Sequence, residues 1–413
     1  MNNTGILKDK KAISCSMFVC SDQDQIIDNY VLIIKDQPSE AVFAGLNVGF
    51  YGRQDYFTAL QTGAGASSRF IFPEIYENGQ LLAAGCFQEL RLAGKDFDEP
   101  GSLLSGNSKF SRVLEKTAKS AMRLGTGKKG LRILIAGNSQ VSGPHGLFFS
   151  VNYTNEKQAE IWKACLDAVE REQGPYSVII VKDLPETHYS IYESLKTGGF
   201  RNVPASPVMV LNIDPQWKTI DDYLNAMSSK YRIRARAARK KGATLVRQVW
   251  DATMIAAHTD EIGKLYNNVY DKARFRLFRI NREYFHGLKE AFENDLLFTA
   301  YLIDEKLVGF STLLLNQKQC DAHLIGLDYA ANKEYSLYQN ILYDYAEVGI
   351  NYSARKIDFG RTAMEIKSTI GAIPEEFAVM IRLKNPLLNG LAALLLENVE
   401  QQPWIQRHPF RAE

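Results

Sequence analysis

The chain has 413 residues, of which 46% are hydrophobic and 23% charged, and its formal net charge is +2. This length predicts two domains, and the near-neutral charge excludes a protein that binds polyanions over its whole surface. Five scattered cysteines without metal-ligand spacing, no signal-like start and no apolar run of membrane-spanning length predict a cytoplasmic protein without a metal site.

The first half, residues 1–215, is predicted to be a mixed α/β unit. It contains a hairpin from Arg69 to Leu92 that turns at Asn78-Gly79, which is a strong hairpin signal. A polar insertion with an amphipathic helix at about Phe110 to Leu124 follows. The remaining predicted elements are a strand Leu131 to Ala136, a helix Glu156 to Glu172, a strand Tyr176 to Val181, a short helix that ends at Gly199, and a strand Val208 to Ile213.

Residues 229–241 carry a dense run of positive charge, with no acidic residue between Asp222 and Asp251. Their alanine and arginine content predicts a helix that ends at Gly242. One interpretation is a solvated helix face. The other is an anion site, through residues such as Arg232 and Arg236, for a donor phosphate, an RNA backbone or an anionic lipid headgroup.

The second half, residues 216–385, repeats the succession of elements in the first. The predicted elements are a hairpin Phe298 to Leu315, a strand Cys320 to Tyr329, a helix Leu337 to Ile350 capped by Ser336, a strand Lys356 to Gly360 and a closing strand Phe377 to Leu383. Placing Gly199 on Gly371 brings Lys196 within one position of Lys367, which indicates an internal duplication. Residues 386–413 are predicted to be an apolar helix and a tail that dock on a domain or touch a membrane surface.

The strand end Ile357-Asp-Phe-Gly-Arg361, followed by Glu365, Lys367 and Gly371 of a turn, resembles the GNAT acyltransferase superfamily. Within it, the pattern is most similar to the bacterial Fem-type branch and its BioF2-like acetyltransferase relatives. The resemblance implies an α/β fold of two tandem GNAT-like domains, each a mixed twisted sheet flanked by helices. It also implies direct transfer of an acyl or aminoacyl group from an activated donor to an amine, such as a cell-envelope precursor or a lipid amine.

In a GNAT fold the fourth strand separates from the fifth and leaves a backbone N–H free for the acyl carbonyl oxygen. Here the fourth strand is Asp321 to Tyr329, and we place its irregularity at Gly326. His323 is a candidate general base, with a buried structural histidine as the alternative. Asp328 is a candidate catalytic carboxylate or a helix cap, and Tyr338 a candidate proton donor to a leaving thiolate or a core residue.

The resemblance gives Lys367 the role of contacting the substrate and stabilising the developing negative charge. Arg361 and Glu365 lie just beyond the fifth strand, where open α/β sheets bind ligands, or they form an ion pair with each other. Tyr329 shares one face of the fourth strand with His323 by alternation and is a further candidate for substrate contact.

The donor is left open by the sequence. GNAT enzymes that use coenzyme A carry a glycine-containing loop after the fourth strand, whereas Ala331 to Leu337 contains no glycine. Acyl-CoA, acyl carrier protein and aminoacyl-tRNA therefore all stay candidate donors, and peripheral contact at the inner membrane stays compatible with the sequence. A non-catalytic GNAT-fold protein that binds a phosphorylated ligand or RNA is the alternative function.

Overall fold

The computed structural model of the chain describes residues 12–15, 30–46, 48–64, 68–92, 131–185, 187–272, 279–387, 389–390 and 403–411. The predicted helix at Phe110 to Leu124 lies outside these residues, as does most of the predicted apolar helix after residue 386. Among the helices in these ranges, none has the length and apolar character needed to cross a bilayer.

The strands of the described residues are assembled into two mixed sheets. They are Ala12–Cys15 (β1), Tyr30–Lys35 (β2), Ser68–Glu77 (β3), Gln80–Gly85 (β4), Phe87–Leu92 (β5), Leu131–Ala136 (β6), Leu147–Phe149 (β7), Val178–Pro185 (β8), Arg201–Val203 (β9), Val208–Asn212 (β10), Val246–Val249 (β11), Leu296–Ile303 (β12), Lys306–Asn316 (β13), Gln319–Leu327 (β14), Lys356–Asp358 (β15), Ile373–Glu375 (β16) and Phe377–Leu383 (β17).

The helices flank both sheets. They are Glu40–Gly45 (α1), Gln54–Ala64 (α2), Asn155–Gln173 (α3), Tyr189–Thr197 (α4), Ile220–Ala226 (α5), Ser229–Lys241 (α6), Ala252–Ala257 (α7), Thr259–Tyr270 (α8), Glu283–Phe292 (α9), Tyr329–Tyr335 (α10), Leu337–Asn351 (α11) and Met364–Ser368 (α12). The predicted basic helix at 229–241 is confirmed with the same bounds.

The two sheets repeat one strand order. In the first sheet β3, β5, β6 and β8 are followed by β17 and β9, and in the second β12, β13, β14 and β15 are followed by β10 and β16. In each run one central pair, β6 with β8 and β14 with β15, is parallel, and every other neighbouring pair is antiparallel. The predicted α/β fold of two tandem units is therefore confirmed.

The strand that ends each half lies in the sheet of the other half. Strand β10, from the first half, pairs with β15, with Leu211 opposite Ile357. Strand β17, from the second half, pairs with β8, with Ile381 opposite Ile180. The expectation that each strand closes its own half was wrong, because hydrophobic alternation identifies a strand but not the sheet that it joins. The predicted boundaries at 215 and 385 divide the sequence, but each sheet contains a strand from the other side of the boundary at 215.

The halves also share a hydrophobic core. The core between them contains buried aromatic side chains from both, such as Phe57 and Phe72 from the first half and Phe285 and Phe310 from the second. Across the halves, the Phe50 ring packs edge to face on the Phe292 ring, with centroids 4.9 Å apart. Buried aromatic rings contribute strongly to core stability, so the two halves form one packed structure.

The described end of the tail, residues 403–411, packs on the second half. The Phe410 ring lies near the rings of Trp217 and Tyr223, with centroids 5.2 and 5.8 Å away. The Ser228 N–H at the start of α6 donates to the Pro409 carbonyl oxygen at 2.8 Å. This segment thereby covers the turn that follows α12.

Candidate active site between the two halves

The two parallel strands of the second half separate as predicted. Strands β14 and β15 pair over Gln319–Asp321 and Lys356–Asp358, and the pairing ends there. Residues 322–327 continue along β13 without a β15 partner. A gap therefore opens beyond Asp321 and Asp358, at the carboxyl ends of the two parallel strands.

The irregularity of β14 lies at His323 and Leu324 and not at Gly326. Ser311 pairs with Ile325 and Leu313 with Ala322, so two residues of β14 face the single residue Thr312. The Thr312 hydroxyl satisfies the displaced backbone, since it accepts from the Leu324 N–H at 2.8 Å and donates to the Leu324 carbonyl oxygen at 2.9 Å.

Gly326 has a packing role that explains why the prediction failed there. A Cβ atom at this position would lie 2.1 Å from the Phe310 ring and 2.8 Å from the Leu265 Cβ. The glycine therefore admits close neighbours, whereas the strand irregularity is created by register.

His323 projects from β14 toward α9. Its Nε2 lies 2.6 Å from the Tyr284 hydroxyl, and burial lowers the pKa of His323 to about 4. The imidazole is therefore neutral at pH 7 and hydrogen-bonded to a buried tyrosine. A pKa this low makes His323 a weak proton acceptor in this arrangement.

Lys367 lies buried beneath the end of β15. Its ammonium donates to the carbonyl oxygens of Phe359, Gly360 and Arg361 at 2.6, 3.1 and 2.7 Å. These three bonds use the three N–H groups of a lysine ammonium and leave none for a substrate. Burial lowers the pKa of Lys367 to about 7, against the opposite effect of the nearby Asp358.

The turn held by Lys367 has an unusual backbone. Gly360, Thr362 and Ala363 have φ angles of +66°, +69° and +48°. Left-handed conformations at non-glycine residues are costly and persist where surrounding contacts enforce them. Lys367 supplies such contacts and so shapes the strand end that faces the gap.

Arg361 and Glu365 do not pair with each other, which corrects that expectation. Arg361 donates to Asp183 of the first half at 2.5 Å and to the Ser206 carbonyl oxygen. Glu365 accepts from Arg407 of the tail at 3.1 Å. Helical spacing of four residues does not apply here, because the turn at 360–363 separates Arg361 from α12.

Asp328 caps α10. Its Oδ1 accepts from the N–H groups of Ala330 and Ala331 at 2.8 and 3.0 Å. Strand β14 ends at Leu327, so Tyr329 is the first residue of a helix and does not share a strand face with His323. Tyr329 instead makes a cation–π contact, in which the Lys272 ammonium lies 3.3 Å from the centroid of the Tyr329 ring.

The residues after β14 do not fit the pyrophosphate of coenzyme A. The carboxylate of Asp328 occupies the first amides of α10, and the Tyr338 N–H donates to the Asn332 Oδ1 at 2.8 Å. The amides that would cradle a phosphate in a glycine loop are thus already bonded to side chains, one of them negatively charged. No step is therefore assigned to coenzyme A.

Tyr338 lies in the first turn of α11, partly buried, and burial raises its pKa. The neighbouring Tyr345 hydroxyl donates to the Thr312 carbonyl oxygen at 3.1 Å, next to the irregularity of β14. Tyr345 therefore lies beside the irregularity of β14, and the role of Tyr338 as a proton donor stays a prediction.

The basic helix α6 divides its cations between two sides. Arg239 donates to Glu347 at 2.9 Å and also bonds Asp344, and Arg232 donates to the Asn225 and Met227 carbonyl oxygens at 3.3 and 3.4 Å. The other side is exposed and carries Lys230, Arg234, Arg236, Lys240 and Lys241. Within the described ranges, these five cations form no ion pair, so Arg232 and Arg236 have different environments.

A polar cluster between the halves was missed in the sequence. It consists of Tyr51, Lys182 and Asp183 from the first half and Asp321 and Asp358 from the second. Asp183 is fully buried and bonds Lys182, Arg361 and the Gly143 N–H, the last at 2.9 Å. Burial acts against ionisation, but Lys182 and Arg361 lower the pKa of Asp183.

The other members of this cluster lie at the start of the gap. The Tyr51 hydroxyl donates to the Asp321 Oδ2 at 3.0 Å, and the His145 ring packs on Tyr51 with centroids 4.2 Å apart. Burial raises the pKa of Asp321. The available sequence signal was the position of Asp321 and Asp358 near the ends of two predicted strands, because carboxyl ends of parallel strands meet at one sheet edge.

Comparison with known proteins finds a family match within the second half. Residues 229–368 match the acetyltransferase (GNAT) domain family. The fold of FemX covers 86% of this chain and 98% of that protein, with a TM-score of 0.53 at 12% identity. No curated protein sequence matches the chain.

Two further solved structures are similar at lower scores. A tandem GNAT protein from the clavulanic acid biosynthesis pathway matches 86% of this chain and 99% of its own, with 8% identity and a TM-score of 0.48. The C-terminal domain of a putative lysylphosphatidylglycerol synthetase from Agrobacterium fabrum matches 87% and 96%, with 12% identity and a TM-score of 0.45. Residues 229–368 therefore match the acetyltransferase (GNAT) domain family, and the chain as a whole shares its fold with FemX.

Proposed function

We propose that this protein transfers an acyl or aminoacyl group from an activated donor directly to an amine acceptor in the gap beyond Asp321 and Asp358. The observation that carries the proposal is the separation of β14 from β15 at these two residues. Backbone amides of a separated strand are suited to bind the oxygen on which negative charge develops during acyl transfer.

The side chains around the gap have distinct parts in this proposal. Lys367 fixes the strand end through three carbonyl oxygens and acts as a positioning residue. His323, held by Tyr284, lies on the same strand as the irregularity and orients the acceptor. To Tyr338, in the first turn of α11, we assign the supply of a proton to the leaving group.

We propose a donor that is carried on a larger polyanion or acidic carrier, aminoacyl-tRNA or acyl carrier protein. The capped amides after β14 disfavour coenzyme A. The side of α6 with Arg234, Arg236 and Lys240 offers exposed positive charge to phosphates or carboxylates instead. The resemblance to Fem-type proteins favours a cell-envelope precursor or a lipid amine as the acceptor.

The test combines donor binding with transfer. Purified protein is screened by thermal shift with acyl-CoA, acyl carrier protein and aminoacyl-tRNA, and each donor is then assayed for amide formation with amine acceptors. We expect the tRNA or carrier-protein donor to raise the Tm and to support transfer. Transfer from acyl-CoA alone would overturn the donor proposal, and no transfer from any donor would overturn the proposed function.

A matched set of variants tests the role of α6. The variant Arg234→Ala/Arg236→Ala/Lys240→Ala is expected to raise the donor KM about tenfold at low salt and much less at high salt, because exposed charges are screened. The control replaces three exposed cations elsewhere, Lys196, Lys264 and Lys306, and is expected to leave the KM unchanged. Equal effects of the two sets would assign α6 to a solvated face.

A further inference from the structure

Two carboxyl groups lie side by side at the start of the gap. Asp321 and Asp358 are register partners on the parallel strands β14 and β15. Their neighbours Cys320, Ile357 and Phe359 are buried in the core on the α11 side of the sheet. Because side chains alternate along a strand, both carboxyl groups project to the opposite face, toward the first half.

The two carboxyl groups have unequal surroundings. Asp321 accepts from the Tyr51 hydroxyl at 3.0 Å, from the Asn316 amide at 3.4 Å and from the Gln319 amide. Burial raises the pKa of Asp321, and the three donors lower it in part. Asp358 accepts from the Gly360 N–H at 2.5 Å and is partly exposed.

The two carboxyl groups differ in their affinity for a proton. Burial and then the charge of Asp321 raise the pKa of Asp358 to about 6. A carboxyl group that titrates near neutral pH is a stronger base than an ordinary aspartate, and a pair of carboxyl groups with separated affinities is a recurrent arrangement for acid–base work. Three donors on Asp321 against one on the partly exposed Asp358 make Asp321 the better holder of the charge and leave Asp358 to exchange a proton.

We propose that Asp358 is the catalytic base of the transfer, that Asp321 is its fixed anionic partner, and that Tyr51 of the first half is a positioning residue that holds the charge on Asp321. The inference rests on the proposed function and deepens it. It makes the active site composite, since the domain that matches the acetyltransferase family is incomplete without a side chain from the first half.

The step balances without a cofactor. The acceptor enters as an ammonium, whose positive charge the two carboxylates attract, and it loses one proton to solvent before attack. The nitrogen lone pair forms the bond to the acyl carbon while the bond from that carbon to the donor oxygen or sulfur breaks. Asp358 takes one of the two N–H protons of the attacking nitrogen, and the other stays on the amide product. The leaving atom takes the bonding electrons and a proton from Tyr338 or water. Asp358 then returns its proton to solvent, and Tyr338, where it was the donor, is reprotonated from solvent.

The pH dependence follows from the groups that face Asp358. These are Asp321 from β14, Lys367 from α12, Lys182 from β8, Tyr51 from the turn at Gly49–Gly52, and Lys356 on its own strand. The base form exists above the pKa of about 6, so kcat/KM is expected to fall as the pH drops through 6.

The experiment measures kcat/KM of the full chain between pH 5 and 8.5 with the donor and acceptor that support transfer. Asp358→Asn is expected to lower kcat at pH 8 by at least about 100-fold with an unchanged Tm, because general bases contribute 10²–10⁴-fold. Asp358→Glu keeps a carboxylate and is expected to retain part of the rate. It should also retain the acid limb of the pH profile, which is the fall in kcat/KM below about pH 6. An Asp358→Asn rate within threefold of wild type overturns the assignment.

Asp321→Asn separates the paired charge from a structural effect. It removes the negative neighbour, so the acid limb is expected to move about one pH unit lower, a shift that loosened packing does not produce. Tyr51→Phe is expected to lower kcat about tenfold in the wild-type background and to have no further effect in the Asp321→Asn background. An unmoved acid limb, or additive effects of Tyr51→Phe and Asp321→Asn, overturns the roles of these two residues.

A measurement without substrate distinguishes this inference from the proposed function. The carboxyl carbon of Asp358 is titrated by NMR in ¹³C-aspartate-labelled protein, with its signal assigned by Asp358→Asn and followed in Asp321→Asn. An Asp358 pKa near the ordinary aspartate value of about 4 in the wild type overturns the proposed pairing of the two carboxyl groups, even where transfer is observed. A raised pKa of Asp358 with no transfer from any donor overturns the proposed function, and with it the assignment of Asp358 as the catalytic base.

Discussion

The two halves share a strand order and differ in what occupies the end of their parallel strands. In the first half, the loop after β6 folds over this end, where the Lys182 ammonium donates to the Val141 carbonyl oxygen at 2.6 Å and the Gly143 N–H donates to Asp183 at 2.9 Å. In the second half, the strands separate at Asp321 and Asp358, and side chains line the gap. The same strand order therefore occurs twice, and the proposed reaction is assigned to the half whose parallel strands separate.

The strongest test of this comparison is Asp183→Ala, which removes the buried anion between the halves. Lys182 and Arg361 would each lose a buried partner, and breaking such a pair costs about 3–5 kcal/mol of the free energy of unfolding. Urea unfolding measures the loss. The control Glu193→Ala breaks an exposed pair, 3.7 Å from Lys196, and is expected to cost less than about 0.5 kcal/mol. Similar losses for the two variants would contradict the buried role of Asp183.

The next test compares the two related lysines. Lys367→Met leaves three carbonyl oxygens of the strand end without their donor, which we expect to cost about 3 kcal/mol or more. Lys196→Met replaces a side chain that is 54% exposed and should change stability by less than about 0.5 kcal/mol. Thermal unfolding of both variants checks the difference, and a small effect at Lys367 would show that its bonds are dispensable for the strand end.

The smallest expected difference concerns two related glycines. Gly371 and Gly199 have φ angles of +96° and +85°, so alanine at either costs about 1–2 kcal/mol. At Gly371 a Cβ atom would also lie 2.2 Å from the Phe410 ring, whereas at Gly199 the nearest atom is 3.8 Å away. We expect Gly371→Ala to cost about 1 kcal/mol more than Gly199→Ala.

A double-mutant cycle isolates that difference. Adding Phe410→Ala to Gly371→Ala is expected to recover most of the excess cost, since the tail ring is the nearest contact and Leu211 Cδ1 would lie 3.3 Å away. If the excess persists without the ring, the tail does not constrain the turn after α12.

How far the sequence predicts the site can be seen at single residues. The separation of the parallel strands was implied by the resemblance to GNAT domains, and the alternatives for His323 and Asp328 included a buried histidine and a helix cap. The strand irregularity was misplaced at Gly326, because a bulge is a property of register between two strands. The ion pairs of Arg361 and Glu365 were missed, because Asp183 and Arg407 are distant in the chain.

The sequence by itself determined the local elements and their repetition, since hydrophobic period, caps and glycine turns act over a few residues. Tertiary structure alone decided which sheet received β10 and β17, which lysine became buried, and that Tyr51 reaches Asp321 from 270 positions away. These outcomes depend on packing between segments that are distant in the sequence. Such packing buries Lys367 and lowers its pKa, and it brings the Tyr51 hydroxyl to the Asp321 carboxyl group.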